Sequence, residues 1–260
     1  MGQAAAKPDG LAVLGIFYEI QRGDNKQWSD LTAKLGQVKK PNGNAATISS
    51  LSLENFLPTG TSAPLEFYRY SGSLTTPGCF ESVTWTVLQR TLTISESQMS
   101  FFRSLSFNDG KPMVNNFRPV LPLNGRKISA SFMNAIGPDW GYSDKKGPEY
   151  WGAKCASGKS QSPVDLKRQV FEKSEVSDPF NFNNYQTKLQ GAKLQNNGHS
   201  VVLNSPKNFT AQISGGGLGG TYKFAQLHFH WGDTSQKGSE HTLNGKAFPL
   251  EVHLVHFNTK

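Results

Sequence analysis

Apolar and polar positions alternate along short stretches of this chain, and turn-forming residues cut the stretches apart. Leu11–Ile20 opens with the continuous apolar run LAVLGIF, the mark of a buried strand. Leu65–Tyr70, Val83–Leu88, Ser200–Leu203, Phe209–Ile213, Tyr222–Trp231 and Glu251–Phe257 are rich in Val, Phe, Tyr and Trp. Gly, Pro, Asn or Ser bound each of them, which predicts strands. Helical spacing is rarer. Trp28, Leu31 and Leu35 predict a helix from about Lys26 to Leu35, with Gly36 to stop it. Ser95 followed by Gln98 is a capping box, and Met99, Phe102 and Leu105 form an apolar stripe, which predicts a second helix over 96–107. Those aromatics read as core rather than as a cofactor box. The pattern predicts an α+β fold: a single domain, residues 1–260, on a large, mainly antiparallel, twisted β-sheet with a few peripheral helices.

Composition narrows the function. At 260 residues, 36% hydrophobic and 18% charged, the chain can bury its own core and is no disordered tail. The net charge of +8 is scattered, with no basic stripe or aromatic ladder, so it reads as solvated surface and not as a nucleic-acid footprint. LAVLGIF falls well short of the roughly 18 apolar residues a membrane span needs. The start, MGQAAAKPDG, has no apolar core and is no secretory signal. Two cysteines, Cys79 and Cys155, exclude a disulfide scaffold and a four-cysteine zinc module. One bridge and two buried thiols both remain open. GGGLGG at 215–220 lacks the Lys-Ser/Thr and the helix of a phosphate cradle. Asn208-Phe209-Thr210 is an N-glycosylation sequon.

All six histidines lie between residues 199 and 256. In the strand Gln226-Leu227-His228-Phe229-His230-Trp231, successive side chains take opposite faces. His228 and His230 therefore share one face, and Leu227, Phe229 and Trp231 the other. In Glu251-Val252-His253-Leu254-Val255-His256, His253 shares a face with Glu251 and Val255. If the two strands are neighbours, three imidazoles converge. Three neutral imidazoles with an open position is the arrangement of a catalytic zinc site. Gln226 and Glu251 lie on the right faces to accept from the outer ring nitrogens.

Longer runs then carry a resemblance. WGY (140–142), QSPVD (161–165), NNGH (196–199), QLHFHWG (226–232) and GSEHT (238–242) are joined by EVHLVHFN (251–258), DGLAVLG (9–15), YSGSLTTPGC (70–79) and NFRPVLPLNGR (116–126). With these the chain resembles the α-class carbonic anhydrases along nearly its whole length, but in a rearranged order. Residues 1–131 resemble the family's C-terminal half and 139–260 its N-terminal half, with 132–138 joining the family's usual ends. The resemblance thus implies a circular permutant of the α-carbonic anhydrase fold, with Lys260 near Met1.

What the resemblance implies about function is specific. The reaction would be reversible hydration of CO2 to bicarbonate and a proton, by attack of zinc-bound hydroxide with a histidine proton shuttle. His228, His230 and His253 would bind Zn²⁺. Thr75 would orient the hydroxide and donate a hydrogen bond to Glu240, with Thr76 beside it. His199 would be the shuttle, since an ordinary imidazole titrates near about pH 6.5. Tyr142 and Asn197 would order the water chain between, and Val202 stands where some relatives place a polar residue, which implies a different proton route. Val13, Val255, Leu74 and Trp85 match the apolar wall that holds CO2. His241 and His256 fit structural roles. Cys79 and Cys155 match the bridge of secreted and membrane-anchored relatives, which implies a secreted or extracellular protein; a monomer is expected. Gly78 replaces a proline common in relatives, which implies a looser turn. A non-catalytic binding module of this family would lack zinc histidines, and all three are present here. Ester hydrolysis would be a side activity of the same site.

Overall fold

Strand β1 (Leu11–Gln21) lies at the centre of the molecule because its apolar run is buried on both faces. Around it stand β2 (Phe67–Gly72), β3 (Val83–Leu88), β4 (Val201–Asn204), β5 (Tyr222–Trp231) and β6 (Leu250–Asn258). The computed structural model describes residues 7–41, 43–58, 65–131, 158–167, 171–173 and 178–259. In it these strands form one sheet in the order β4-β5-β6-β1-β3-β2. Ala192–Asn196 and then Ala46–Ile48 extend the sheet beyond β4, and Ile128–Ala130 and Phe171–Lys173 extend it beyond β2. The sheet counts 13 strands among the described residues. Along this path the pairings are antiparallel except β1 with β3 and Ile128–Ala130 with Phe171–Lys173. The predicted α+β class on a large, mainly antiparallel sheet is what the chain adopts.

Two short α-helices flank the sheet among the described residues, α1 (Ser29–Leu35) and α2 (Glu96–Arg103). The first is preceded by a 3-10 turn at Lys26–Trp28, so the predicted helix is two elements. The predicted capping box forms: Gln98 N donates to Ser95 Oγ at 3.0 Å and Ser95 N donates to Gln98 Oε1 at 3.2 Å. Helix α2 stops at Arg103, short of Phe107. Beyond it Ser106 N donates to Lys39 O at 2.9 Å and Met113 N to Leu105 O at 2.7 Å, so tertiary partners take over the backbone. The strand predicted at 209–213 also shifts, to Gln212–Gly215, because Phe209 N closes a turn on Pro206 O at 3.1 Å.

The sheet separates two apolar clusters. Leu14, Ile16, Leu227, Phe229, Trp231, Val252 and Leu254 point into the larger one. There Trp28 packs against Phe56, Phe229 and Phe102 with ring centroids 5.5, 5.8 and 6.0 Å apart. Each such buried side chain contributes roughly 1.5–3 kcal/mol, and together they fix which way β5 and β6 face. The opposite face holds Val13, Tyr70, Trp85 and Val255. No helix among the described residues is long and apolar enough to cross a membrane. The end of β6 meets the start of β1, where Asn258 N donates to Gly10 O at 3.1 Å. Met1, Lys260 and the 132–138 join lie outside the described residues.

Candidate metal centre

Strand register assembles the centre in three rows. One runs Val202, His228, His253, Gly15 and Val87 across β4, β5, β6, β1 and β3. The next holds His230, Glu251 and Phe17. On the other side lie Gln226, Val255, Val13, Trp85 and Tyr70. Partners in register share a face, so the rings of His228, His230 and His253 meet. Their centroids are 5.0 Å (228–230), 5.0 Å (228–253) and 4.5 Å (230–253) apart. Each offers a ring nitrogen, and the three candidate ligand atoms lie within 4.8 Å of one another.

The outer nitrogens decide which atoms face inward. His228 Nδ1 donates to Gln226 Oε1 at 3.0 Å, His230 Nδ1 to the Asn116 carbonyl at 2.8 Å, and His253 Nε2 to Glu251 Oε1 at 2.8 Å. A carbonyl or carboxylate oxygen can only accept, so each proton sits on the outer nitrogen. The lone pairs of His228 Nε2, His230 Nε2 and His253 Nδ1 therefore turn toward one another. His253 Nδ1 and His228 Nε2 are 3.2 Å apart. Burial first, then the neighbouring His230 and His253, push the His228 pKa well below the ordinary imidazole value. Burial likewise lowers that of His230. Neutral imidazoles are what a cation requires of its ligands.

Two buried atoms are left over. Among the described residues His230 Nε2 and Glu240 Oε2 make no hydrogen bond, and they stand 3.3 Å apart. Burying a polar atom unpaired costs several kcal/mol on the order of transfer values, so native interiors rarely do it. An all-imidazole donor set with an orphaned ligand nitrogen fits a zinc ion. A second cluster, His241, Glu251 and His253, also has metal-like spacing. Its atoms are already spent on hydrogen bonds. Glu251 Oε1 accepts from His241 Nδ1 and from His253 Nε2, both at 2.8 Å, and Oε2 accepts the backbone amides of Glu240 and His241, again at 2.8 Å. Burial works to raise the Glu251 pKa, but the electrostatic attraction and hydrogen bonds of the His241 and His253 rings outweigh it and hold the carboxyl far below its usual range. The chain of bonds continues through His241 Nε2, which accepts from Tyr70 Oη at 2.6 Å, to Ser162 Oγ, 2.8 Å from Tyr70 Oη.

Gly15 makes room for this carboxylate: a Cβ there would lie 3.0 Å from Glu251 Oε1. Trp85 packs edge-on against His253 and His241, each at 4.7 Å, and its indole N–H donates to Ser73 O at 2.9 Å. Val13, Val255 and Trp85 form one buried row, while Leu74 is half-buried beside them.

The remaining expected residues fall into place unevenly. Thr75 is buried and Thr76 exposed. The expected bond from Thr75 to Glu240 is not made. Instead Glu240 Oε1 accepts from Arg118 N at 2.9 Å, and Oε2 faces the ring nitrogens of His230 and, at 3.8 Å, His253. Asn197 is not an acceptor for a ring nitrogen of the centre. Its Oδ1 accepts from the amides of His199 and Ser200 at 3.0 and 2.8 Å, which shapes the loop carrying the exposed His199. Val202 lies directly across from His228. His256 is buried beside Tyr185 and donates from Nδ1 to Leu254 O at 3.0 Å. Gly78 has a φ of +108°, a value proline cannot adopt, so the backbone here differs from one built around a proline. Tyr142 and Cys155 lie outside the described residues. Asn116 and Arg118 were not singled out from the sequence. Asn116 gives its carbonyl to His230, and its Oδ1 accepts from Trp231 N at 2.9 Å. Arg118, buried, donates from Nη1 to Gln161 Oε1 and Ser162 O, both at 2.9 Å. Their only signal was membership of the NFRPVLPLNGR run.

Comparison with known proteins places the chain in a family. The family model for eukaryotic-type carbonic anhydrase matches residues 1–132 and 146–260. A curated relative named "Putative carbonic anhydrase 3", from Caenorhabditis elegans, is 40% identical over 120 residues, covering 45% of this chain and 47% of its own. "Carbonic anhydrase 7" of Mus musculus is 39% identical over 124 residues, 46% of each chain. The chain thus spans about half the length of the curated relatives it matches.

Proposed function

The chain belongs to the eukaryotic-type carbonic anhydrase family, and from that premise we propose that it catalyses the reversible, zinc-dependent hydration of CO2 to bicarbonate and a proton. The observation that carries the proposal is the convergence of three imidazole lone pairs, each ring fixed by an outer acceptor, on a point where His230 Nε2 has no hydrogen-bond partner among the described residues. His228, His230 and His253 would hold the ion. Bound there, zinc acts as a Lewis acid that lowers the pKa of a coordinated water, an effect for which carbonic anhydrase is the standard example.

The chain's own residues do the rest. Gln226, Asn116 and Glu251 keep the three rings in the tautomer that presents a lone pair. Val13, Val255, Leu74 and Trp85 give an apolar, water-excluding wall for a small nonpolar substrate. Thr75 would select a reacting group that can donate a proton by turning its own hydroxyl to the open Oε2 of Glu240, a bond this structure does not make, with Thr76 exposed beside it. His199, exposed on its loop, would carry protons between the site and solvent; Asn197 shapes that loop, and the family resemblance gives Tyr142 a part in the same relay. The same proposal includes circular permutation, supported by the two-piece family match and by relatives that each align with about half the chain. It also includes a Cys79–Cys155 bridge and an extracellular destination, supported by there being just these two cysteines. Stopped-flow CO2 hydration of the purified chain tests the reading. One equivalent of zinc should give chelator-sensitive turnover that His230→Ala abolishes. A zinc-loaded chain no faster than buffer would refute it.

A further inference from the structure

One sequence motif is left without a role by the metal centre. Asn208-Phe209-Thr210 is the single Asn-x-Ser/Thr in the 260 residues. Strand β4 ends at Asn204, and the chain then turns at 205–210 before the strand Gln212–Gly215. Ser205 N donates to Ala225 O at 3.0 Å and Phe224 N to Ala211 O at 2.9 Å, so both ends of the turn are tied to β5. Phe209 N donates to Pro206 O at 3.1 Å, which closes Pro206-Lys207-Asn208-Phe209 into a β-turn. Phe209 is 6% exposed and packs edge-on against Phe224 at 5.9 Å. Asn208 and Thr210 on either side of it are exposed. The anchored aromatic thus presents its two neighbours outward. The Asn208 amide makes no hydrogen bond within the described residues, so no buried network constrains it. The turn lies beyond the end of β4, past the Val202–His228 pair, so a bulky group on it leaves the metal centre clear.

We propose that Asn208 is an N-glycan acceptor. The donor class is a lipid-linked oligosaccharide diphosphate. The Asn208 side-chain nitrogen forms a bond to the sugar C1 as the C1–O bond to the diphosphate breaks. The lipid diphosphate leaves with that electron pair, and the amide gives up one proton to base. No redox partner is needed. The Thr210 hydroxyl is the element that the transferase reads. This goes beyond the proposed hydration activity and is independent of it.

The test places the whole chain behind a cleavable secretory leader in insect cells, beside a co-expressed reporter glycoprotein. Chain from the medium and chain retained in the cells are both analysed by intact mass and peptide mapping, before and after peptide N-glycosidase. The expected result is one glycan, removed by the enzyme with conversion of Asn208 to Asp. Asn208→Gln and Thr210→Ala should abolish the mass shift, and Thr210→Ser should keep it. Zinc content and melting temperature of Asn208→Gln should match the parent. An unmodified Asn208 in cells whose reporter is fully glycosylated overturns the proposal. So does a glycan that survives Thr210→Ala.

Discussion

Replacing Glu251 by Gln should disable the proposed zinc site without replacing any of the three histidines. The carboxylate accepts four hydrogen bonds, all at 2.8 Å, from Glu240 N, His241 N, His241 Nδ1 and His253 Nε2. Gln offers one oxygen and one NH2. Backbone amides cannot accept, so the oxygen must stay with the Glu240 and His241 amides. The NH2 then meets His241 Nδ1 and His253 Nε2, both of which are donors. Relief requires His253 to move its proton to Nδ1, the nitrogen facing His228 Nε2. A protonated Nδ1 cannot ligate.

Two charge-assisted bonds are lost, at about 1.5–3 kcal/mol each, for a stability loss of roughly 3–6 kcal/mol. Zinc affinity should fall by at least about 10–100-fold, the range for groups that orient a ligand histidine. Chelator-competition titration gives the zinc Kd, and urea unfolding of the metal-free chain gives stability. Imidazole nitrogen NMR reports the His253 tautomer. A folded variant with zinc Kd within about threefold of the parent, and the His253 proton still on Nε2, would show that Glu251 does not set the ring.

Other outcomes follow from packing and burial. Gly72→Ala would place a Cβ 2.1 Å from Ser162 Oγ and 2.7 Å from Tyr70 Cε2; a loss of about 1–3 kcal/mol in urea midpoint analysis is expected, and an unchanged midpoint would contradict the packing. Gly78→Pro should destabilise by about 1–3 kcal/mol because φ must leave +108°; a stabilised variant in thermal unfolding would mean the turn can take a second conformation. Burial pushes the His256 pKa down to about 3. The folded state therefore binds fewer protons than the unfolded one between about pH 6.5 and that value, and stability present above pH 6.5 is lost as pH falls. Between pH 6.5 and 5 the parent should lose about 1.6 kcal/mol more than His256→Gln, and equal slopes would refute it.

How far the chain could be read in advance depended on whether a feature was local. The alternation in QLHFHW put His228 and His230 on one face because strand geometry forces it, and Leu227, Phe229 and Trp231 fill the core on the other. That His253 stands opposite His228 is a pairing between distant segments, and the sequence alone could state it only as a condition. Three-residue strands such as Ala46–Ile48 and Ile128–Ala130 hold too few positions to show a period. Helix α2 was overextended because Leu105 and Phe107 keep the apolar spacing while their backbone bonds elsewhere. The acceptor for His230 was the least legible part of all. It is a main-chain carbonyl, and every residue carries one. Only the fold of 113–118 onto β5, held by Asn116 Oδ1 on Trp231 N, gives that oxygen its address. Substituting Asn116 should therefore weaken the site although its side chain never touches the ligand ring.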